Sequence, residues 1–364
     1  MNLNVGLAGV SDEISTDSCR NVTPWDGAVV RCQFTSRSQA LLRAFVPAAA
    51  AALVITLAGC GGAPVTTARH TQPLSERMLA ELKAKNMIKE SPVLVRIFKE
   101  EAELEVWKQE DSGRFGLLRT YPICRWSGEL GPKIKQGDRQ APEGFYTITP
   151  GLMNPNSSQY LAINTGFPNA YDRANGRTGS FLMIHGGCSS AGCYAMTDEQ
   201  IAEIYALARE AFFAGQKSFQ LQAYPFRMTP LNMARHRNSP HMAFWKMIKD
   251  GYDHFEVTHL EPEVGVCDKS YVFGAESTDR FSAGRCPTYS VPEDIIAAVR
   301  DKQRRDDIET TKLIIRGVPT APLTTASDGG MNRTFLTAVK AQGGPDEVVH
   351  TGSRTNPPDG NGQD

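Results

Sequence analysis

The chain has 364 residues and a nearly balanced charge, with 39 Lys and Arg against 40 Asp and Glu. This length predicts one or two domains with ample chain for a buried core. The formal net charge of -1 argues against a nucleic-acid partner, because no basic block is available to neutralise phosphates. No zinc-ligand spacing and no phosphate-binding glycine loop occurs in the sequence, so we expect neither a metal nor another cofactor.

Residues 1–60 predict an N-terminal extension followed by a lipoprotein signal peptide. A basic patch precedes an apolar run at 44–57 that is too short to span a bilayer as a mature helix. The run ends in Leu-Ala-Gly-Cys, the pattern at which bacterial lipoproteins are cleaved and lipidated on the new N-terminal cysteine, here Cys60. The competing interpretation is a buried helix that ends at an accidental cysteine. The polar stretch at 1–36 leads us to expect a later translation start, for instance at the codon of Val30.

Secondary structure is expected to begin after a tether at 61–73. Residues 74–89 have the apolar spacing of a short amphipathic helix. Runs with strand composition follow, separated by Gly, Pro, Asn and Asp clusters, and this pattern predicts an antiparallel sandwich or open barrel. The runs are 93–98, 104–108, 115–120, 145–149, 160–163 and 180–184.

The periodicity changes after residue 196. Thr197 and Gln200 fit a capping box for an amphipathic helix that Gly215 ends. A return strand is predicted at 218–223 and a helix at 231–249 with a break near its middle.

The C-terminal part is less regular. Residues 251–300 are interpreted as a C-terminal extension with a last strand near 269–273. Residues 301–364 are rich in Thr, Pro, Gly and Asp and contain few large apolar residues, so we expect a largely disordered tail.

The segment 183–196 carries the chemistry. It reads Met-Ile-His-Gly-Gly-Cys-Ser-Ser-Ala-Gly-Cys-Tyr-Ala-Met. A thiol nucleophile needs a base, small neighbours and backbone N–H groups that can bind an oxyanion. We therefore predict Cys193 as the nucleophile, His185 as its base, and the N–H groups of Gly192 and Cys193 as the oxyanion hole. The competing interpretation is a buried structural thiol beside a core histidine, with Cys188 as a rival nucleophile or a disulfide partner.

This segment resembles the signature of the YkuD-type L,D-transpeptidases, which carry a His-Gly followed by Ser-x-Gly-Cys. Other segments are similar to the periplasmic YafK-like branch of that family, and the resemblance covers roughly residues 75–275. These segments include Ser91-Pro92-Val93, Tyr121-Pro122-Ile123-Cys124, Gly131-Pro132-Lys133, Gly137 to Gly144, and Gly166 to Arg173.

The resemblance implies a mainly β (α+β) catalytic domain over 74–250, a β-sandwich or open barrel with a helix after the nucleophile turn. It also implies that the Cys193 thiolate attacks a diaminopimelate carbonyl of a peptidoglycan stem peptide, with His185 as general base. An amine resolves the thioester in a transpeptidase, and water resolves it in a hydrolase. In this family the group that orients the histidine is often a backbone carbonyl or a small polar residue, so Gly186 or Gly187 is expected there. Ser190 is expected to shape the turn and to hydrogen-bond near the substrate, and Gly186 is also expected to contact the substrate.

One position departs from the family pattern. Most YkuD-type enzymes have an arginine two residues after the cysteine, whereas this chain has Ala195. The difference keeps open an amidase or endopeptidase that hydrolyses peptidoglycan–protein or stem-peptide links. Arg173 or Arg177 is the expected replacement cation for the diaminopimelate carboxylate, and a solvated loop arginine is the competing interpretation.

A catalytically inactive wall-binding lipoprotein is a further alternative, although retention of a paired nucleophile and base argues against it. Envelope proteins are expected partners as acyl acceptors or substrates. The membrane is a further expected partner, which the protein would contact through the lipid on Cys60. Gly61 after that cysteine predicts a periplasmic protein on the outer membrane by the enteric rule. In an oxidising periplasm Cys267 with Cys286 is the first disulfide expected, and Cys124 with Cys188 the second.

Overall fold

A computed structural model describes residues 68–277, 286–322 and 330–341. These residues all belong to one compact unit that extends from Val65. The expected signal peptide and Cys60 lie outside the described residues, as does most of the expected tether. None of the helices in the described ranges is long and apolar enough to cross a membrane.

Twelve strands and seven α-helices make up the described chain. The strands are β1 Val93–Phe98, β2 Glu103–Gln109, β3 Phe115–Pro122, β4 Arg125–Trp126, β5 Gly144–Ile148, β6 Met153–Asn154, β7 Ala162–Asn164, β8 Met183–His185, β9 Tyr194–Ala195, β10 Phe219–Tyr224, β11 Val264–Cys267 and β12 Ser270–Phe273. The helices are α1 Glu76–Ala84, α2 Ala170–Ala174, α3 Asp198–Phe213, α4 Pro230–Arg235, α5 Met242–Thr258, α6 Glu293–Ile315 and α7 Arg333–Ala341.

The strands form two five-stranded sheets and a hairpin. One sheet has the order β3-β2-β1-β10-β5 and the other β4-β9-β8-β7-β6, while β11 pairs with β12. Every expected strand run overlaps an observed strand, although the runs 160–163 and 180–184 are strands only from Ala162 and Met183 onward. The arrangement is not purely antiparallel, because β1 pairs with β10 and β8 with β9 in parallel. A parallel partner cannot be recognised from the composition of a single strand, since its position depends on the connection that follows.

The main apolar core joins both sheets to α3. It contains Val95 of the first sheet, Ile184 of the second and Leu207 of the helix, all almost completely buried. Helix α3 begins with the predicted capping box, in which Thr197 and Gln200 each bond the backbone of the other. The mixed α+β architecture therefore agrees with the expected fold class.

The C-terminal region differs from the sequence-based division. Helix α5 runs continuously through the boundary expected at residue 250. The expected disorder from residue 301 is wrong for 301–315, which belong to α6. Lys302 and Asp306 of α6 form ion pairs with Asp253 and Lys249 of α5, at 2.8 and 2.7 Å. The helix is held largely by charged groups, so a search for apolar periodicity does not detect it.

Residues 330–332 lie alongside β4 and the residues just before it. The Trp126 N–H donates to the Gly330 carbonyl at 3.0 Å, and the Asn332 N–H donates to the Ile123 carbonyl at 3.1 Å. The Asn332 side chain also donates to the carbonyl of Ala102 at 3.2 Å. The far end of the described chain thereby covers the outer edge of the sheet that carries β9.

Both expected disulfides are present. Cys124 bonds to Cys188 and Cys267 bonds to Cys286. The first of these connects the end of β3 to the loop 186–193, and the second connects the β11–β12 hairpin to the segment before α6.

Candidate active site

Strands β8 and β9 bring the histidine and the cysteine to the same face of one sheet. In their parallel register His185 pairs with Ala195 and Ile184 with Tyr194. Extending this register by one residue sets Cys193 beside Met183, whose N–H lies 3.4 Å from the Cys193 Sγ. Alternate residues of a strand share a face, so His185 and Cys193 project together, with Cα atoms roughly 8 Å apart from standard strand spacings.

His185 is held in one tautomer by its own neighbour. Its Nδ1 lies 2.6 Å from the Gly186 carbonyl oxygen. A carbonyl only accepts, so Nδ1 carries the proton and Nε2 keeps a lone pair. The ring is 7% exposed, and this burial lowers the pKa of His185, although the bond to Gly186 partly opposes the change. At neutral pH the side chain is an uncharged imidazole able to accept a proton at Nε2.

The backbone at Gly186 explains why glycine is needed beside the histidine. A Cβ added there would lie 2.5 Å from an Asp198 carboxylate oxygen and 3.0 Å from the Gln159 carbonyl. The Asp198 carboxylate accepts the Gly187 N–H at 2.9 Å, which connects the loop to the first turn of α3. Of the two glycines expected to orient the histidine, the carbonyl of Gly186 is the one in contact with its ring.

Cys193 is the one free thiol among the cysteines that the structure describes. Its rival Cys188 is disulfide-bonded to Cys124 and is therefore excluded as a nucleophile. Burial raises the pKa of Cys193, while a hydrogen bond from the Met183 N–H and the positive charge of Lys133 lower it in part. The resting pair is consequently thiol and imidazole rather than thiolate and imidazolium. No group of three or more His, Cys, Asp or Glu side chains in the described ranges could hold a metal ion.

Ser190 organises the nucleophile turn. Its Oγ accepts from the Cys193 N–H at 3.0 Å and from the Gly192 N–H at 3.4 Å, and it donates to the Cys193 carbonyl at 2.7 Å. Ser127 donates a further hydrogen bond to the same hydroxyl. The expected role of Ser190 in shaping the turn agrees with this geometry. The expected oxyanion hole does not exist as a free pair of donors, because both N–H groups already point at Ser190.

Lys133 is the cation that sequence reasoning missed. Its ammonium group is 3% exposed and donates to the Asp138 carboxylate and to the Lys135 carbonyl. It is the one ionised side chain whose charge lowers the pKa of Cys193. The sequence did carry a signal for this lysine, because Gly131-Pro132-Lys133 is one of the segments that are similar to the YafK-like branch.

The two arginines expected to bind a substrate carboxylate have other positions. Arg177 is buried, forms an ion pair with Asp172 at 3.0 Å and lies over the Tyr171 ring, so it stabilises the end of α2. Its pairing makes the expected substrate contact wrong for this residue. Arg173 is exposed but donates to the Pro168 carbonyl of its own loop. The Asn169–Asp172 capping box orders this helix and thereby fixes the partners of both arginines. The distribution of charge along the sequence does not reveal such local contacts.

Ala195 is completely buried and lies directly beside His185 in the sheet register. A long cationic side chain has no room to project there without displacing its neighbours. The loss of the usual arginine is therefore built into the packing of β9.

Comparisons with known proteins establish the family. The YkuD family, an L,D-transpeptidase catalytic domain, matches residues 95–215. The protein called "Putative L,D-transpeptidase YafK" in Escherichia coli K12 is 49% identical over 188 residues, which cover 52% of this chain and 76% of that protein. The protein of the same name in Escherichia coli O157:H7 gives the same values. This chain belongs to the YkuD-type L,D-transpeptidase family.

Solved structures add only weak similarity to this family assignment. The helical cell shape determining protein Pgp2 of Campylobacter jejuni is 25% identical with a TM-score of 0.28, covering 42% of this chain and 55% of Pgp2. Bd1075 of Bdellovibrio bacteriovorus is 14% identical with a TM-score of 0.28, covering 53% of this chain and 90% of Bd1075. The chain thus spans little more than half of Pgp2, and these scores carry no argument about activity.

Proposed function

We propose that this family member is a cysteine acyltransferase that acts on diaminopimelate-containing stem peptides of peptidoglycan. The observation that carries the proposal is the placement of a single-tautomer imidazole at the end of β8 and of a free thiol directly before the adjacent parallel strand β9. Neither group is used elsewhere in the described structure as a metal ligand or a disulfide partner. A purely structural protein has no need of such a pair.

In the proposed reaction His185 Nε2 takes the proton of Cys193 as the sulfur attacks the stem-peptide carbonyl. The neutral resting state requires this transfer to accompany the attack. The Cys193 N–H then donates to the tetrahedral oxyanion instead of to the Ser190 hydroxyl, which retains its other hydrogen-bond partners. Collapse forms the thioester, and the leaving amine receives the proton from His185. An incoming amine or water then loses a proton to His185, attacks the thioester carbonyl and releases the thiol.

Hydrolysis is the second candidate, and Ala195 is the observation that favours it. Without the family's arginine at this position, a bound acceptor peptide loses a cationic contact beside His185. Water needs no such contact. An amidase or endopeptidase that releases proteins or peptides from peptidoglycan would use the same thiol and imidazole.

The test is incubation of the protein from residue 68 onward with purified muropeptides and with protein-linked peptidoglycan, followed by mass spectrometry. Cys193→Ala is the control. New cross-linked or amine-exchanged stems that are absent in the control are expected for a transpeptidase. Release of peptide or protein without a new cross-link would assign a hydrolase. Retention on peptidoglycan with no product from a folded protein would instead assign a wall-binding lipoprotein.

Attachment to the outer membrane through Cys60 is part of the same proposal. The support is the Leu-Ala-Gly-Cys sequence followed by Gly61. Cys60→Ala is expected to move the protein from the membrane fraction to the soluble periplasmic fraction. Unchanged partition of this variant would contradict the anchor.

A further inference from the structure

The loop 133–140 is held rigidly beside the nucleophile turn. The Asp138 carboxylate accepts the N–H groups of Ile134, Lys135 and Gln140 at 2.9–3.0 Å, as well as the Lys133 ammonium. Although burial raises the pKa of Asp138, these hydrogen bonds hold it below its usual value. The carboxylate is therefore ionised and fully engaged within the loop.

Arg139 follows this carboxylate and is held against the turn. A Cβ added at Gly192 would lie 3.7 Å from the Arg139 carbonyl carbon and 3.8 Å from its Cα. Gly192, the residue before the nucleophile, has a φ of +125° and no side chain, so the Arg139 backbone can approach the turn closely. The backbone of Arg139 thereby forms one wall of the turn that presents Cys193.

The guanidinium of Arg139 is uncommitted. The residue is exposed and makes no hydrogen bond or ion pair with any residue in the described ranges. Its neighbour Asp138 does not neutralise it, because that carboxylate is used by the loop and by Lys133. A charged, planar donor group is thus free on a residue whose backbone packs against the nucleophile turn.

Backbone strain marks the same place. Arg139 has a φ of +53°, a left-handed conformation that a long side chain rarely adopts. Phe181 has a φ of +56° and is 75% exposed, and its carbonyl lies 3.8 Å from the Cys193 Sγ. Two exposed residues with a left-handed backbone therefore lie next to the nucleophile, Phe181 through its carbonyl and Arg139 through its backbone at Gly192. Such strain persists where the surrounding structure enforces it, and it concentrates at functional positions.

We infer that Arg139 forms a carboxylate subsite beside Cys193, opposite the apolar wall of Phe181. It binds a free carboxylate of the acyl-donor peptide and fulfils the part that Arg173 and Arg177 do not. This inference rests on the proposed function and deepens it by naming the residue that selects the donor. The ligand chemistry is a carboxylate on a short aliphatic arm, whose methylenes contact the Phe181 ring.

Arg139→Asn tests the subsite, because asparagine tolerates the left-handed backbone and removes the guanidinium without new strain. With a free-carboxylate stem peptide, KM should rise roughly tenfold to hundredfold while kcat stays within about twofold. The KM of Arg139→Lys should lie between those of the wild type and of Arg139→Asn, since an ammonium keeps the charge but loses the bidentate geometry. Arg114→Gln, an exposed arginine in the β2–β3 turn, should leave both constants unchanged.

Amidated donors identify the carboxylate. One analogue is amidated on the diaminopimelate side chain and another at the peptide terminus. Amidation of the recognised carboxylate should weaken binding to the wild-type protein by the same factor as Arg139→Asn weakens binding of the free acid. The Arg139→Asn variant should bind that analogue and the free acid equally. Equal KM values for the wild type and Arg139→Asn on the free acid would overturn the inference, and so would an equal loss on all three peptides.

Binding to Cys193→Ala protein separates failure of the inference from failure of the proposed function. If the wild type converts no stem peptide, the acyltransferase proposal fails. Titration calorimetry of the same three peptides against Cys193→Ala, with and without Arg139→Asn, still decides the subsite. A Kd that depends on both the guanidinium and one carboxylate supports it, and a Kd independent of either overturns it.

Discussion

The Cys124–Cys188 disulfide offers a quantitative test of how the nucleophile loop is stabilised. The bond closes a loop with a sequence separation of 64 residues. The loop-entropy relation gives about 4 kcal/mol for a loop of this length, because the unfolded chain is the state that the cross-link restricts. Replacing both cysteines by alanine removes this contribution. The left-handed backbone at Cys188 is no worse for alanine than for cysteine, so the variant adds no new strain there.

Thermal unfolding measured by circular dichroism is the assay. For a unit of this size about 4 kcal/mol corresponds to a decrease in Tm of roughly 8–16 °C. The matched control is the removal of Cys267–Cys286, whose separation is 19 residues and whose expected cost is about 3 kcal/mol. A Tm within about 2 °C of the wild type for the Cys124/Cys188 variant would refute the loop-closure reasoning. Equal midpoints of wild-type protein with and without reductant would refute it too, provided that mass spectrometry shows both bonds to be reduced.

Three further predictions concern charge. Burial lowers the pKa of His185 and raises that of Cys193. Because His185 must be unprotonated to act as a base, kcat/KM should fall as the pH drops through the His185 pKa, at a pH below the usual value for histidine. A thiolate absorbance at neutral pH that Cys193→Ala abolishes would contradict a neutral thiol and imidazole. Lys133→Met removes the positive charge that lowers the Cys193 pKa, so the pH profile of alkylation by iodoacetamide should move to higher pH; an unchanged profile would show that this charge does not reach the thiol. Lys99 and Glu143 form a fully buried ion pair at 2.9 Å. Glu143→Gln leaves the Lys99 ammonium buried without its counter-ion and should destabilise the protein by about 3–5 kcal/mol in urea unfolding. The loss of stability should shrink as pH rises and Lys99, whose pKa burial lowers, loses its proton; a loss that does not depend on pH would contradict this cause.

Local signals in the sequence predicted the parts of the fold that depend on neighbouring residues. The Thr197–Gln200 capping box formed because both partners lie within one helical turn. The strand runs were recognisable because each carries its own apolar pattern, whatever strand it pairs with. The histidine and cysteine could be proposed as a pair for the same reason, since they lie in one short segment.

The remainder depended on contacts between distant residues. Arg177 was expected to face the substrate, but burial and the ion pair with Asp172 decide its position. The helix α6 was missed because charged pairs with α5, rather than an apolar stripe, hold it in place. The oxyanion hole was assigned from glycine content, whereas the side chain of Ser190 determines where those N–H groups point.

The pairing of residues 330–332 with β4 has a consequence for the solution behaviour of shortened proteins. The strand β4 ends its sheet, and an uncovered edge offers backbone donors and acceptors to the edge of another molecule. The Gly330 carbonyl and the Asn332 N–H occupy those groups at Trp126 and Ile123. A protein truncated after residue 322 should therefore retain its chemistry but self-associate through the vacated edge, and light scattering of the two lengths at equal concentration would measure it.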